Sequence, residues 1–360
     1  MSSKKFTALF LSFVLLLLVT ACSFFQGNVS NIRVGGVSAP LEPGASSGVS
    51  GETFTHPLTG LQVENENILG ARPAAVMVSN IAIARPIQAG VGAADVVFET
   101  VVEGGITRYL AVFQDIENMP TVGSVRSSRH AHFQLAAGLD AIFVHHGSDR
   151  VYTQPAMQAI NFDNQNVGVN QGAFRHRNGM SSEHTLYTSG ELLHTHLTSR
   201  GVRLQRENPR NLFNFSDGPL TLGNAHGSEV GVRFSGAANT SFAFNPETRL
   251  YTRSQGGTRD SDFFTNDLVE VTNIFVLFDD IAPFPNGVHM QAALQGGRGY
   301  YITNGTFVPI RWEKGGAREP LRFLNESGSP LLVNPGRSWV SLMPNSVNNP
   351  VNFNIPVPTE

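Results

Sequence analysis

The sequence predicts an α/β (α+β) N-terminal domain with a sheet and covering helices, followed by a smaller, mostly antiparallel β domain. Three observations carry this prediction. Continuous apolar runs alternate with helix signals through the first half, short strand-like runs between Gly, Asn and Pro fill the second, and both lie downstream of an apolar leader that ends at the single cysteine. Strands apolar at every position, with helices between them, belong to a sheet covered on both faces. Short runs bounded by turn residues belong to antiparallel β structure.

The elements follow in chain order. Lys4 and Lys5 precede an apolar stretch from about Leu9 to Val19, which is short for a bilayer span. Leu18-Val19-Thr20-Ala21 then leads into Cys22. A charged start, an apolar run and small residues before a unique cysteine make a lipoprotein signal, with cleavage before Cys22 and a diacylglycerol on its sulfur. An ordinary secretory signal with a chance cysteine is the alternative. Residues 1–21 are thus the signal peptide and 22–55 the lipidated cysteine and a flexible linker rich in Gly, Ser and Asn. As a random coil the linker spans on the order of 30 Å.

Residues 56–215 form the α/β domain and 216–345 the β-rich domain, with 346–360 as an extended tail. In the first, Ala74–Val78, Asp95–Val102 and Ile106–Phe113 read as strands, the last two joined by a hairpin at Gly104-Gly105. Ser128 is placed to cap a helix running to about Ala137, and Asp140–Val144 is a strand that delivers His145 and His146. Thr188 and Glu191 have capping-box spacing before a helix ending near Gly201. In the second domain, Asn245-Pro246-Glu247-Thr248 reads as a turn between Phe242–Phe244 and Leu250–Arg253. Ile274–Phe278, Gly299–Thr303, Phe307–Trp312 and Trp339–Leu342 add strands, and Gly296-Gly297-Arg298-Gly299 reads as a tight turn between two of them.

Composition narrows the function. The formal charge is −3, and losing Lys4 and Lys5 with the leader makes it more negative, against a nucleic-acid partner. One cysteine allows no internal disulfide and no cysteine-ligated metal. Downstream of the leader Lys314 is the sole lysine, so nearly every cation is an arginine, suited to bidentate contacts with carboxylate or phosphate. Compositional bias of the source genome would produce the same imbalance.

Several stretches resemble one family. They are Arg72–Val78, Ala84-Arg85-Pro86, Ala94–Phe113, Val122–Arg129, Asp140–His145, His184–Tyr187, Tyr300–Gly305, Ile310–Lys314 and Asn334–Trp339. Together they are similar to the YerB-like family of bacterial lipoproteins, whose two domains carry no assigned activity. The resemblance covers nearly everything after the linker and implies a lipid-anchored, two-domain surface protein. Two positions depart from it: Ser79 stands where the family tends to an acid, and His130-Ala131-His132 follows Arg129 in place of Pro and an aromatic.

The polar residues within these motifs are the candidate site. Arg108, Arg126, Arg129 and His184 are candidates for binding an anionic ligand, at strand ends and strand–helix junctions where α/β sheets place ligands. Their alternative is structural ion pairing, with Glu103 and Arg108 facing each other across the glycine turn. Glu103 and His145 are the catalytic candidates, should the chain be a hydrolase. Ser127 or Ser128 beside a histidine is the candidate nucleophile. No G-x-S-x-G, H-E-x-x-H or G-x-x-x-x-G-K-[ST] motif is present. His130, His132, His145, His146, His176, His184, His194, His196 and His226 make the middle of the chain histidine-rich, but adjacent and i,i+2 spacings do not share a face, so no metal and no cofactor are expected. The strand aromatics Tyr300, Tyr301, Phe307, Trp312 and Trp339 read as core, with sugar or partner stacking as the alternative.

The reading that results is a non-catalytic, lipid-anchored envelope protein on the extracytoplasmic face. It meets the membrane through Cys22 and binds an anionic ligand such as peptidoglycan or another wall polymer, or an envelope protein. A cell-envelope hydrolase using the Glu/His pair and a pure assembly lipoprotein are the two alternatives.

Overall fold

In the computed structural model, residues 52–177, 179–207 and 211–353 are described. The expected signal peptide, Cys22 and the expected linker up to Gly51 lie outside them, as does the chain end from residue 354. The first segment supplies β1 (Ala74–Ser79), β2 (Val96–Val101), β3 (Thr107–Phe113), α1 (His130–Gly138), β4 (Ile142–His145), β5 (Asn164–Asn166) and α2 (Gly190–Ser199). The second supplies β6 (Glu229–Arg233), β7 (Asn239–Asn245), β8 (Leu250–Gln255), β9 (Thr258–Arg259), β10 (Asn273–Asp279), β11 (Gly296–Thr303), β12 (Thr306–Lys314), β13 (Leu321–Leu324), β14 (Ser338–Pro344) and β15 (Val351–Asn352). The fold is α+β, with strands in the majority.

One ten-stranded sheet runs through both segments in the order β13-β12-β11-β10-β14-β2-β3-β1-β4-β5. The seam is β14, which pairs in parallel with β10 on one side and with β2 on the other, Trp339 opposite Val97 and Ser341 opposite Glu99. Strands β1, β2, β3 and β14 are buried at every position, as central strands covered on both faces must be. The hairpin expected at Gly104-Gly105 joins β2 to β3, and both glycines hold positive φ, at 68° and 72°.

Two cores flank this sheet. On one face, Phe133, Leu135 and Ala136 of α1 pack with Phe98, Leu110, Val112, Val340 and Trp312. On the other, a sheet in the order β9-β8-β7-β6-β15 lays Val230, Val232, Phe242 and Tyr251 against Val97, Tyr109, Ala111 and Trp339. Tyr301, Trp312 and Trp339 are therefore core, each buried. Tyr300 and Phe307 are half-buried and meet Phe353, whose ring stacks on Phe307 at 3.7 Å.

Four local expectations need correction. The N-cap of α1 is Arg129, with no side-chain cap; Ser128 is buried, and its hydroxyl has no partner among the described residues. The cap of α2 is Ser189, whose hydroxyl accepts from the Leu192 N–H, because the Thr188 hydroxyl is already donated to the Gly172 carbonyl across β strands. Gly296, Gly297 and Gly299 lie within β11 instead of a turn, because a Cβ on Gly297 would sit 2.5 Å from the Phe278 carbonyl and one on Gly299 2.4 Å from that of Val276. Within the expected tail, Val351–Asn352 pairs with β6 as an edge strand.

A buried ion pair joins the two sheets. Glu99 of β2 and Arg253 of β8 are almost wholly excluded from water, with Arg253 Nη2 donating to Glu99 Oε2 at 3.0 Å. Trp339 Nε1 donates to the same oxygen at 3.1 Å, and the Thr107 hydroxyl and Asn80 amide donate to Oε1 at 2.7 and 3.2 Å. The guanidinium lies over the Trp339 and Tyr109 rings, 4.4 and 5.1 Å from their centroids, and its other end is paired with Asp260. With two carboxylates and burial acting in opposite directions, the Arg253 guanidinium is held above its ordinary value. Replacing one partner of such a pair leaves a desolvated charge. Arg253→Met is expected to lower the unfolding free energy by about 3–5 kcal/mol in urea titrations, and adding Glu99→Gln should restore part of the loss. A loss under about 1 kcal/mol would mean that this pair does not fasten the sheets.

Candidate functional site

The Gly104-Gly105 turn brings Glu103 back over the start of β3, and the Val125–Arg129 loop meets it from the side of α1. Arg108 Nη2 donates to Glu103 Oε1 at 3.1 Å, Arg129 Nε donates to Oε2 at 2.7 Å, and Arg129 Nη2 also reaches Oε1. Both arginines close the loop onto themselves: Arg108 Nη1 donates to the Ser127 carbonyl at 2.7 Å and Arg129 Nη1 to that of Ser128 at 2.8 Å. Burial opposes ionisation of Glu103, but the hydrogen bonds from Arg129 and the charge of Arg108 hold its carboxyl down at about 2. Burial and repulsion from Arg129, with a further push from Arg126, pull the Arg108 guanidinium down to about 9, against the attraction of Glu103.

Arg126 forms the solvent edge of this cluster. Its Nη1 donates to the Glu183 carbonyl at 2.7 Å, and its contacts with the Glu183 carboxylate are long, 3.4 and 3.5 Å, with that carboxylate largely exposed. His184 Nε2 lies 3.5 Å from the other Glu183 oxygen, and its pKa is lowered by burial and by Arg126. Three arginines thus gather about two carboxylates, Glu103 and Glu183, with one positive charge left over.

The histidines are placed differently. His132 is buried under the cluster and held at about 3 by burial; its Nε2–H donates to the Arg108 carbonyl at 3.3 Å. His145 ends β4 with its ring between the Gly147 carbonyl at 2.8 Å and Asn164 Oδ1 at 2.9 Å, and burial lowers its pKa. The chain around it is tied to the arginine loop, since His146 N–H donates to the Arg126 carbonyl. Glu103 and His145 therefore sit at one end of the sheet, yet the Glu103 carboxylate is engaged by two guanidinium groups and the His145 ring by Asn164 and a backbone carbonyl. Among the described residues no group of three or more His, Cys, Asp or Glu is arranged to hold a metal ion.

On the opposite face of the same strands, Glu99, Thr107 and Tyr109 face the Arg253 network, where Gln255 Oε1 accepts from Asn80, Tyr109 and Arg253. Sequence reasoning passed over Arg253, Asp260 and Gln255. A signal was present: Tyr251, Arg253 and Gln255 alternate along β8 as its buried positions.

Comparison with known proteins places this geometry. Residues 58–203 match the N-terminal domain model, and 230–340 the C-terminal domain model, of a family described as proteins of unknown function, DUF3048. The chain belongs to the DUF3048 family. It is 31% identical over 293 residues to the Bacillus subtilis (strain 168) protein named "Putative lipoprotein YerB", covering 80% of this chain and 86% of that one. A crystal structure of the YerB protein from Bacillus subtilis superposes with a TM-score of 0.72 at 27% identity, spanning 84% of this chain and all of that one. The resemblance seen in the sequence is thereby shown: this DUF3048 chain is a YerB homologue. Both segments of the DUF3048 pair contribute strands to the one large sheet, with β14 the strand at which they meet.

The depressed Glu103 pKa makes a directional prediction. A carboxylate held at about 2 in the fold and near 4.5 when unfolded contributes stability that is complete above about pH 5 and is lost as pH falls from there toward 2. Urea titrations across that range should show a Glu103→Gln variant with a flatter pH dependence than the parent. The difference should be on the order of 2–3 kcal/mol at neutral pH, and parallel profiles would show that the Arg108 and Arg129 contacts do not hold the carboxylate.

Proposed function

We propose that this chain is a lipid-anchored extracytoplasmic envelope protein. It binds an anionic ligand, a phosphate or carboxylate group such as those of wall polymers, at the Arg126 edge of the Arg108–Arg126–Arg129 cluster, and catalyses no reaction there. The observation that carries this reading is the charge surplus. Arg108 and Arg129 are locked on Glu103, while Arg126, held by one bond to the Glu183 carbonyl, pairs in charge only with the exposed Glu183 carboxylate at long range, a contact worth little in water. A ligand oxyanion can replace that carboxylate without breaking the rest of the cluster. His184 and the Ser127–Ser128 loop frame the approach.

The anchor rests on the leader that ends at Cys22 and on the lipoprotein name borne by the Bacillus subtilis relative. An acidic chain is not drawn to anionic lipid by charge, so attachment falls to the acyl chains, at about 0.8 kcal/mol per buried methylene. The Glu103–His145 hydrolase receives less support. A carboxyl at about 2, saturated by guanidinium hydrogen bonds, is a weak base and is not protonated at neutral pH to serve as an acid.

Opposite changes at one contact test the binding site. Arg126→Ala should weaken binding to purified anionic wall polymer by about tenfold, and Glu183→Gln, which releases Arg126, should strengthen it; affinities unchanged in both would remove the proposal. For the anchor, Cys22→Ala should shift the protein from the membrane to the soluble fraction. Intact-mass analysis of the parent should show the added lipid, and a parent carrying a free thiol would contradict it.

A further inference from the structure

We propose a small-molecule site in the second segment, where Arg249 and Asp217 together hold a zwitterion of about dipeptide size. A cavity of about 380 Å³ lies where the β7–β8 turn, the loop 216–222, the β11–β12 turn and the approach to β14 meet, with Asp217, Pro219, Arg249, Leu250, Asn304 and Pro335 in its lining. That volume is within the range of small-ligand sites. Its walls are held in place by the protein itself. Asn334 clasps the loop through both backbone groups of Leu220, at 2.6 and 3.0 Å, and Asn304 Nδ2 donates to the Thr221 hydroxyl at 2.8 Å.

Arg249 is the residue out of place. It ends the turn between the paired residues Asn245 and Leu250 at a φ of 60°, a left-handed conformation that suits glycine or asparagine and strains a long side chain. The turn does not need that side chain. Asn245 makes it instead, its Oδ1 accepting from the Glu247 and Thr248 N–H groups and its carbonyl from the Arg249 N–H. The Arg249 side chain is exposed and has no hydrogen-bond or ion-pair partner among the described residues. A strained position whose side chain serves neither the turn nor the core points to a use in binding.

Asp217 completes the pair. Its carboxylate is exposed and likewise has no partner among the described residues, Arg249 included. One cavity is thus lined by a cation and an anion that do not neutralise each other. A ligand of single charge would be attracted by one and repelled by the other. A molecule carrying both a carboxylate and an ammonium meets both, with its carboxylate on the forked guanidinium. Arg249 and Asp217 lie beyond ion-pair distance of each other, so the ligand's charges must be spaced as well. A free dipeptide carries one charge at each end of about 7 Å of chain. Pro219, Leu250 and Pro335 offer an apolar surface to the frame between them.

Three probes sharing one backbone test the assignment by calorimetric titration of the full-length protein in detergent: alanyl-alanine, its N-acetyl derivative and its C-terminal amide. Alanyl-alanine should bind the parent saturably, and each blocked form about tenfold more weakly, a comparison that needs no variant. Arg249→Gly should lower alanyl-alanine affinity by about tenfold and bind the free acid and the amide alike, because the carboxylate has lost its partner. Asp217→Asn should do the same for the free amine and the acetyl form. Glycine takes the positive φ without strain, so Arg249→Gly should keep the parent's melting temperature. Absence of alanyl-alanine binding, a blocked form bound as tightly as the free dipeptide, or parent affinity in either variant would each overturn the proposal.

Discussion

A single desolvated ion pair, Glu99 with Arg253, constrains most of this structure. The pair stands where β2 and β14 of the large sheet meet β8 of the smaller one, and neither charge reaches water. Burying two ions is unfavourable unless their remaining hydrogen-bonding capacity is met. Trp339, Thr107 and Asn80 meet it on the carboxylate; on the guanidinium Asp260, Thr240 and Gln255 take the terminal nitrogens and two aromatic rings cover its face, leaving Nε without a hydrogen-bond partner. Those partners come from both segments. The docking of the second sheet, the register of β14 and the position of the β8–β9 hairpin are thus set together.

Consequences appear on both faces of β2 and β3. Alternation along these strands sends Glu99, Thr107 and Tyr109 toward the second sheet and Arg108 and Leu110 toward α1. One face carries the Glu99–Arg253 network. The other carries a ring of three arginines about two carboxylates, with Arg126 at its rim. On that face two carboxylates stand among three arginines, with the Glu103 pairs inward and Arg126 at the periphery.

Much of the fold was legible in the residues. Largely apolar runs of five to eight residues marked β1 to β4 and β10, because a strand covered on both faces has few positions that reach water. Asn245 to Thr248 marked the β7–β8 turn, and Gly104-Gly105 the β2–β3 turn. The placement of the candidate residues was legible in part. Glu103, Arg108, Arg126, Arg129, His145 and His184 do gather at one end of the sheet, because their motifs occupy strand ends and the loop entering α1. Their pairing was not legible, since which carboxylate an arginine meets depends on which strand lies beside it.

From its residues alone, this chain's local elements and its charge inventory were determined: strand positions, two turns, an apolar run that stops just before Cys22, and a cation set made almost entirely of arginine. Those follow from side-chain periodicity and composition, which need no partner in space. Only the tertiary structure decided that Trp339 sits beside Val97, that Arg253 meets Glu99 across 154 residues of chain, and that Gly297 and Gly299 lie inside a strand. Each of these depends on the pairing of segments far apart in sequence, where close packing and the exclusion of water, not local preference, set which contacts survive.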